Sequence, residues 1–202
     1  MRYHEPLNDI LGNKVQVKLL RVLVRTKGSF TGRELARLIG YSQNQTSLAL
    51  QELERNGLVV WQGAGRSHLY SVDSDNILVM DFLEEGFRLE DSLMNRLAGT
   101  FFDELGRDLE SIVLFGSVAK GEERPNSDID LVVVVKDKAD LKVAEGRVAE
   151  ASAKVARRFG NQAMPIIVKK SDYERKMKSK KGFWREVAET GVSMPPPARG
   201  RQ

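Results

Sequence analysis

The sequence predicts two domains of different class: an α+β unit of three helices and a β-hairpin, then an α/β unit with a mixed sheet and helices. Three observations support this. Apolar residues recur at helical spacing from Val15 to Leu53, then give way to two short strand-like runs, Leu58–Trp61 and His68–Val72. Farther on, the apolar runs Ile112–Phe115, Leu131–Val135 and Met164–Val168 alternate with helical segments, the order expected of a layered α/β fold. A length of 202 residues has room for one large domain or two small ones. The boundaries expected are 1–75 for the first domain, 76–89 for a helical connector, 90–194 for the second domain and 195–202 for a disordered Pro-rich tail.

Val15, Leu19, Leu20, Leu23 and Val24 make the inner face of a first helix that stops near Lys27-Gly28. Thr31 with Glu34 reads as a capping box opening a short second helix, with Leu35, Ala36, Leu38 and Ile39 inward. Gly40-Tyr41 makes a turn. Ser42 with Gln45 is a second capping box, and Leu48, Leu50 and Leu53 are the expected core positions of a third helix ending at Asn56-Gly57. The hairpin follows, with its tight turn across Gln62–Arg66.

This layout resembles the winged helix-turn-helix regulators of bacteria and archaea along the whole segment. The resemblance implies double-stranded DNA as a partner, with the third helix entering the major groove N-terminus first. Gln43, Asn44, Gln45, Thr46 and Ser47 would then face base edges. Arg66 at the wing tip would reach phosphate or the minor groove, and Arg33 and Arg37 would touch backbone. The residues admit a plainer reading too: Ser42 and Gln45 serve as a cap, and the third helix is short of Lys and Arg.

From Asn76 to about Leu109 the chain reads as helical. Phe82, Leu89, Leu93, Leu97, Phe101 and Leu105 share one stripe, and Gly86 and Gly99 stand as candidate breaks. The apolar start, Ile77–Leu83, points to interdomain or dimer packing, so a homodimer is expected.

The richest stretch runs from Leu114 to Leu131. A strand should end at Gly116-Ser117, followed by a turn and a second strand bearing Asp128 and Asp130. Side chains alternate along a strand, so both carboxylates share one face with Cα atoms roughly 6.6 Å apart. Beside a small-residue turn, such a pair suits Mg²⁺ and the phosphates it carries. The unbroken Leu/Val run after Asp130 implies a strand buried on both faces. Lys138–Phe159 should form a helix, with Leu141, Val148, Ala151, Val155 and Phe159 inward. Ser171 with Glu174 reads as a further capping box before a basic helix, and a short helix around Trp184–Glu189 follows.

Gly116-Ser117, Gly121 and Ser127-Asp-Ile-Asp-Leu131 are similar to the signature of the nucleotidyltransferase superfamily that includes DNA polymerase β, in its minimal form. The resemblance covers residues 90–194. It implies Asp128 and Asp130 as catalytic metal ligands. Gly116, Ser117 and Ser127 become nucleotide-binding residues, and Lys120 a point charge toward phosphate. The nucleoside triphosphate is then ligand or substrate. Active members carry a third carboxylate on the strand after the helix. Met164–Val168 has none, and Asp172 beyond it reads as a first-turn helix residue.

Composition narrows the classes. Zero cysteines exclude disulfides and thiolate metal sites, and two histidines, His4 and His68, are too few for a metal centre. The longest apolar runs are far too short to span a bilayer, and Met1–Pro6 lacks a signal-peptide core, so a cytoplasmic protein is expected. The net charge of +4, with basic residues crowding 169–185, is compatible with nucleic acid and also with a solvated face. Three functions stand. One is a DNA-binding regulator whose second domain binds a Mg–nucleotide with weak or no transfer. The others are an active nucleotidyltransferase targeted by its first domain, and a scaffold with a decayed site.

Overall fold

The computed structural model describes residues 11–65, 67–179 and 181–194, so residues 1–10 with His4 among them, Arg66, Lys180 and the Pro-rich tail lie outside the described residues. Two compact units are present, Met1–Asp91 and Ser92–Gln202.

In the first unit α1 spans Lys14–Thr26; the Asn13 side chain accepts from the Val15 amide, and Lys27 closes the helix at φ 50°. Leu19, Leu20 and Leu23 are fully buried, each side chain contributing about 1.5–3 kcal/mol. The strand β1, Phe30–Thr31, leads into α2, Gly32–Ile39, through a complete Thr31/Glu34 capping box. Gly40 at φ 71° ends α2. The third helix, α3, covers Gln43–Arg55 behind the Ser42/Gln45 box. A hairpin of β2, Val59–Ala64, and β3, Ser67–Val72, pairs from Val59↔Val72 to Ala64↔Ser67. β1 adds to the far side of β3. Three helices, a turn and a hairpin make a winged helix.

Two expected core positions are corrected. Leu38 and Leu48 are each 58% exposed. Leu38 sits two positions from buried Ala36, and Leu48 two from buried Leu50, and residues two apart on a helix face different ways. A π-helical turn, Val79–Leu83, then leads into α4, Glu84–Leu105. Gly86 and Gly99 sit inside this helix without breaking it. Val79, Leu83 and Phe87 are buried in the core of the first unit with α1, so half of the connector's apolar character is spent on that core. Of the expected stripe, Phe82, Leu89 and Leu93 are 37%, 47% and 37% exposed.

In the second unit Leu97, Phe101 and Leu105 of α4 pack on a four-stranded sheet. Its strands are β4, Leu109–Phe115; β5, Ile129–Val135; β6, Ala163–Lys169; and β7, Val192–Met194. The order is β6-β5-β4-β7, with β5 and β6 parallel and the other pairs antiparallel. Between them lie α5, Gly116–Lys120; α6, Leu141–Phe159; α7, Lys170–Ser179; and α8, Phe183–Thr190.

Leu131 and Val133 turn to the face covered by α4 and α6. Val132 and Val134 turn to the other, against Val187, Tyr173 and Trp184 of α7 and α8. Both faces are covered, which is why β5 reads as an unbroken apolar run. Leu141, expected inward, is 40% exposed, because α6 starts there and Asp140 caps it. The Ser171/Glu174 box is also corrected: the Ser171 amide and hydroxyl both donate to Asp137 Oδ1, at 3.0 and 2.8 Å.

Candidate functional site

The carboxylate pair stands where β4 and β5 meet their connecting loop. Register places Phe115 opposite Asp130, and the chain then leaves β4 through Gly116 at φ +72°. A Cβ built at Gly116 would collide with Asp130 Oδ2. Only glycine lets this carboxylate lie against bare backbone. Gly116-Ser117 therefore opens α5 rather than ending a strand, a small correction of the expected turn. Asp128 is exposed and Asp130 half-buried. Burial, then the charge of Asp128, then that of Glu186 hold the Asp130 carboxyl above its ordinary range. A half-buried acid with two like charges nearby favours a compensating cation.

Glu186 was not anticipated. It sits on α8, where its Oε1 accepts from Lys120 Nζ at 2.9 Å. That bond is the main reason the Lys120 ammonium titrates above its ordinary value. The Lys120 charge, expected to face phosphate, is paired here with Glu186. No local spacing links Glu186 to the motif; only packing of α8 beside α5 brings it there.

Ser127 is a loop-shaping residue here. Its Oγ accepts from the Arg124 amide at 2.9 Å, and Asn161 Nδ2 donates to the Pro125 and Ser127 carbonyls, each at 2.9 Å. These bonds hold the loop that delivers Asp128.

The strand beside β5 is β6, Ala163–Lys169, and its residues next to the pair are apolar. Met164 lies beside Asp130 and Ile166 beside Val132, and both are exposed, at 52% and 39%. Asp172 sits in the first turn of α7, bound to Arg175. Among the described residues no group of three or more His, Cys, Asp or Glu is arranged to hold a metal. Two carboxylates still fit one Mg²⁺, which keeps several waters and commonly takes one or two protein carboxylates plus phosphate oxygens. They do not make a fully furnished two-metal centre.

On the first unit, Gln43 and Asn44 are exposed at the start of α3, as is Arg33 on α2. Gln43 and Arg33 line an open cleft of about 490 Å³ with Ser67, His68 and Tyr70 of the wing. Thr46 is corrected: it is fully buried, and its Oγ1 donates to the Ser42 carbonyl at 2.9 Å. Gln45 Oε1 is taken by the Ser42 hydroxyl at 2.8 Å and amide at 3.3 Å, so its first role is the cap. The wing carries an unforeseen stack of Trp61 on His68, centroids 3.9 Å apart, with Trp61 Nε1 donating to Glu54 at 2.7 Å.

Comparison with known proteins finds similarity over each half of the chain. Residues 98–184 match the family described as Nucleotidyltransferase domain. A Methanocaldococcus jannaschii protein, provisionally named a protein adenylyltransferase, is 29% identical over 93 residues, covering 44% of this chain and 63% of that protein. The chain thus spans less than two thirds of that relative's length. Reduced HlyU from Vibrio cholerae is similar in structure at TM-score 0.37 and 24% identity, over 42% of this chain and 84% of that one. A chain of the toxin–antitoxin pair MntA–HpeT is similar at TM-score 0.38 and 19% identity, over 51% of this chain and 73% of that one. The chain is a winged helix followed by an α/β unit, and it is within that second unit and the end of α4 leading into it that the nucleotidyltransferase match falls. Among the described residues no helix is long and apolar enough to cross a membrane.

Proposed function

We propose that this protein is a DNA-binding regulator, cytoplasmic and two-fold in assembly, whose nucleotidyltransferase-type domain binds a Mg–nucleotide with weak or no transfer. The observation that carries the reading is the Asp130 carboxylate, seated on Gly116 and crowded by Asp128 and Glu186. Asp128 and Asp130 would hold Mg²⁺, and Gly116 and Ser117 the phosphates. Lys120 would join them on release from Glu186. Bound Mg²⁺ neutralises phosphate charge. The apolar Met164 and Ile166 beside the pair support binding over efficient turnover. In the first unit, Gln43, Asn44 and Arg33 would meet DNA, with Arg66 reaching its backbone.

A second reading is transfer of AMP to a protein, which the relative named for that activity favours. Calorimetry with ATP, CTP, GTP and UTP plus Mg²⁺ tests the first reading. At least one should bind to wild type and none to Asp130→Asn. A labelled-nucleotide assay separates the second, since robust turnover lost in Asp130→Asn would replace the sensor with an enzyme. An intact fold that binds no nucleotide would remove both.

A further inference from the structure

The outward stripe of α3 consists of Asn44, Ser47, Leu48 and Gln51, all exposed, at spacings that put them on one face. The opposite side, Thr46, Ala49, Leu50 and Leu53, is buried. Leu48 at 58% exposure is the aliphatic member of a stripe otherwise made of amides and a hydroxyl. An isolated exposed leucine is ordinary. This one stands at the centre of the face that the winged-helix layout turns toward a major groove.

The chemistry of that face is selective. From Gln43 to Glu54 the helix offers no Lys or Arg, the side chains that read guanine. Asn and Gln pair best with adenine, and an aliphatic side chain finds one favourable partner on a base edge, the thymine methyl.

We infer that Leu48 is a specificity residue that packs on a thymine methyl, and that with Asn44 and Gln51 it directs this protein to A·T-rich half-sites in double-stranded DNA. The inference rests on the reading of the first unit as DNA-binding. Base preference belongs to neutral side chains of α3, while Arg33 and Arg37 on α2 supply charge toward phosphates.

The test uses the full chain and a randomised duplex pool. Sequences enriched by wild type should share a T·A pair at a fixed position. Replacing that thymine by deoxyuridine removes only the methyl and should weaken binding about 4-fold, the worth of one buried methylene-sized group. Leu48→Ala, whose fold is checked by thermal melting, should bind the thymine and deoxyuridine duplexes equally. An enriched site without an invariant T·A pair overturns the inference while leaving DNA binding in place. So does a deoxyuridine penalty that persists in Leu48→Ala, or a Leu48→Ala variant that changes oligomeric state but not base preference. If no duplex is enriched, the DNA reading itself fails and the inference goes with it.

Discussion

Asp130 is held in a state its ionised form dislikes. Its folded titration lies above the unfolded value, through burial and then through Asp128 and Glu186. The native state therefore binds more protons than the unfolded chain between those two values, and stability falls as pH rises through that window. Asp130→Asn should remove that slope and melt higher than wild type at neutral pH. The gain should fade as pH drops below the carboxylate range; thermal melts across pH check this. Glu186→Gln tests the neighbouring pair. It frees Lys120 and lowers negative charge beside Asp130, so triphosphate binding should tighten several-fold in calorimetry. Weaker binding would make Glu186 a contributor to the site rather than a competitor for Lys120.

At the scale of the element, the helix starts were the most legible features and buried faces less so. Thr31/Glu34 and Ser42/Gln45 are capping boxes in sequence and in structure, because a cap is a local exchange of hydrogen bonds. Thr31→Ala should cost about 1 kcal/mol, read by denaturant titration. The Thr31 bonds hold the Glu34 carboxyl below its ordinary range. This cap's pH-linked support is present above the unfolded value and is lost as pH falls through the folded one.

Leu38 and Leu48 are core-like by residue type, but helical phase turns both outward. The placing of Asp130 against Gly116 was legible since the strand, turn and carboxylates are close in sequence. Glu186 was not, since its link to Lys120 crosses 66 positions. β7 escaped notice for another reason: three residues paired on β4 carry too little pattern to distinguish a strand.

For the molecule as a whole, each unit has its own buried core. The apolar connector is divided: Val79, Leu83 and Phe87 serve the first core, while Ile77 and Met80 stay exposed at 62% and 52%. We expect this remaining surface to support self-association matching paired DNA half-sites. Sedimentation should give a dimer at tens of micromolar, and Ile77→Glu with Met80→Glu should shift it to monomer. A wild-type monomer would remove the assembly from the proposal.

The sheet's two margins differ in kind. β7 occupies one, whereas β6 ends the order with nothing beyond it among the described strands. Pro165 lies within β6, facing Leu131 in the register. Proline has no amide hydrogen, so the outermost strand is one donor short as a template for another chain, and such interruptions discourage edge-to-edge aggregation. Beside it, exposed Met164 and Ile166 would otherwise make an adhesive rim. Replacing Pro165 by valine should leave the monomeric fold intact yet raise light scattering on gentle heating. The residue that interrupts this strand is then a guard against edge-to-edge pairing on the margin where Met164 and Ile166 lie exposed.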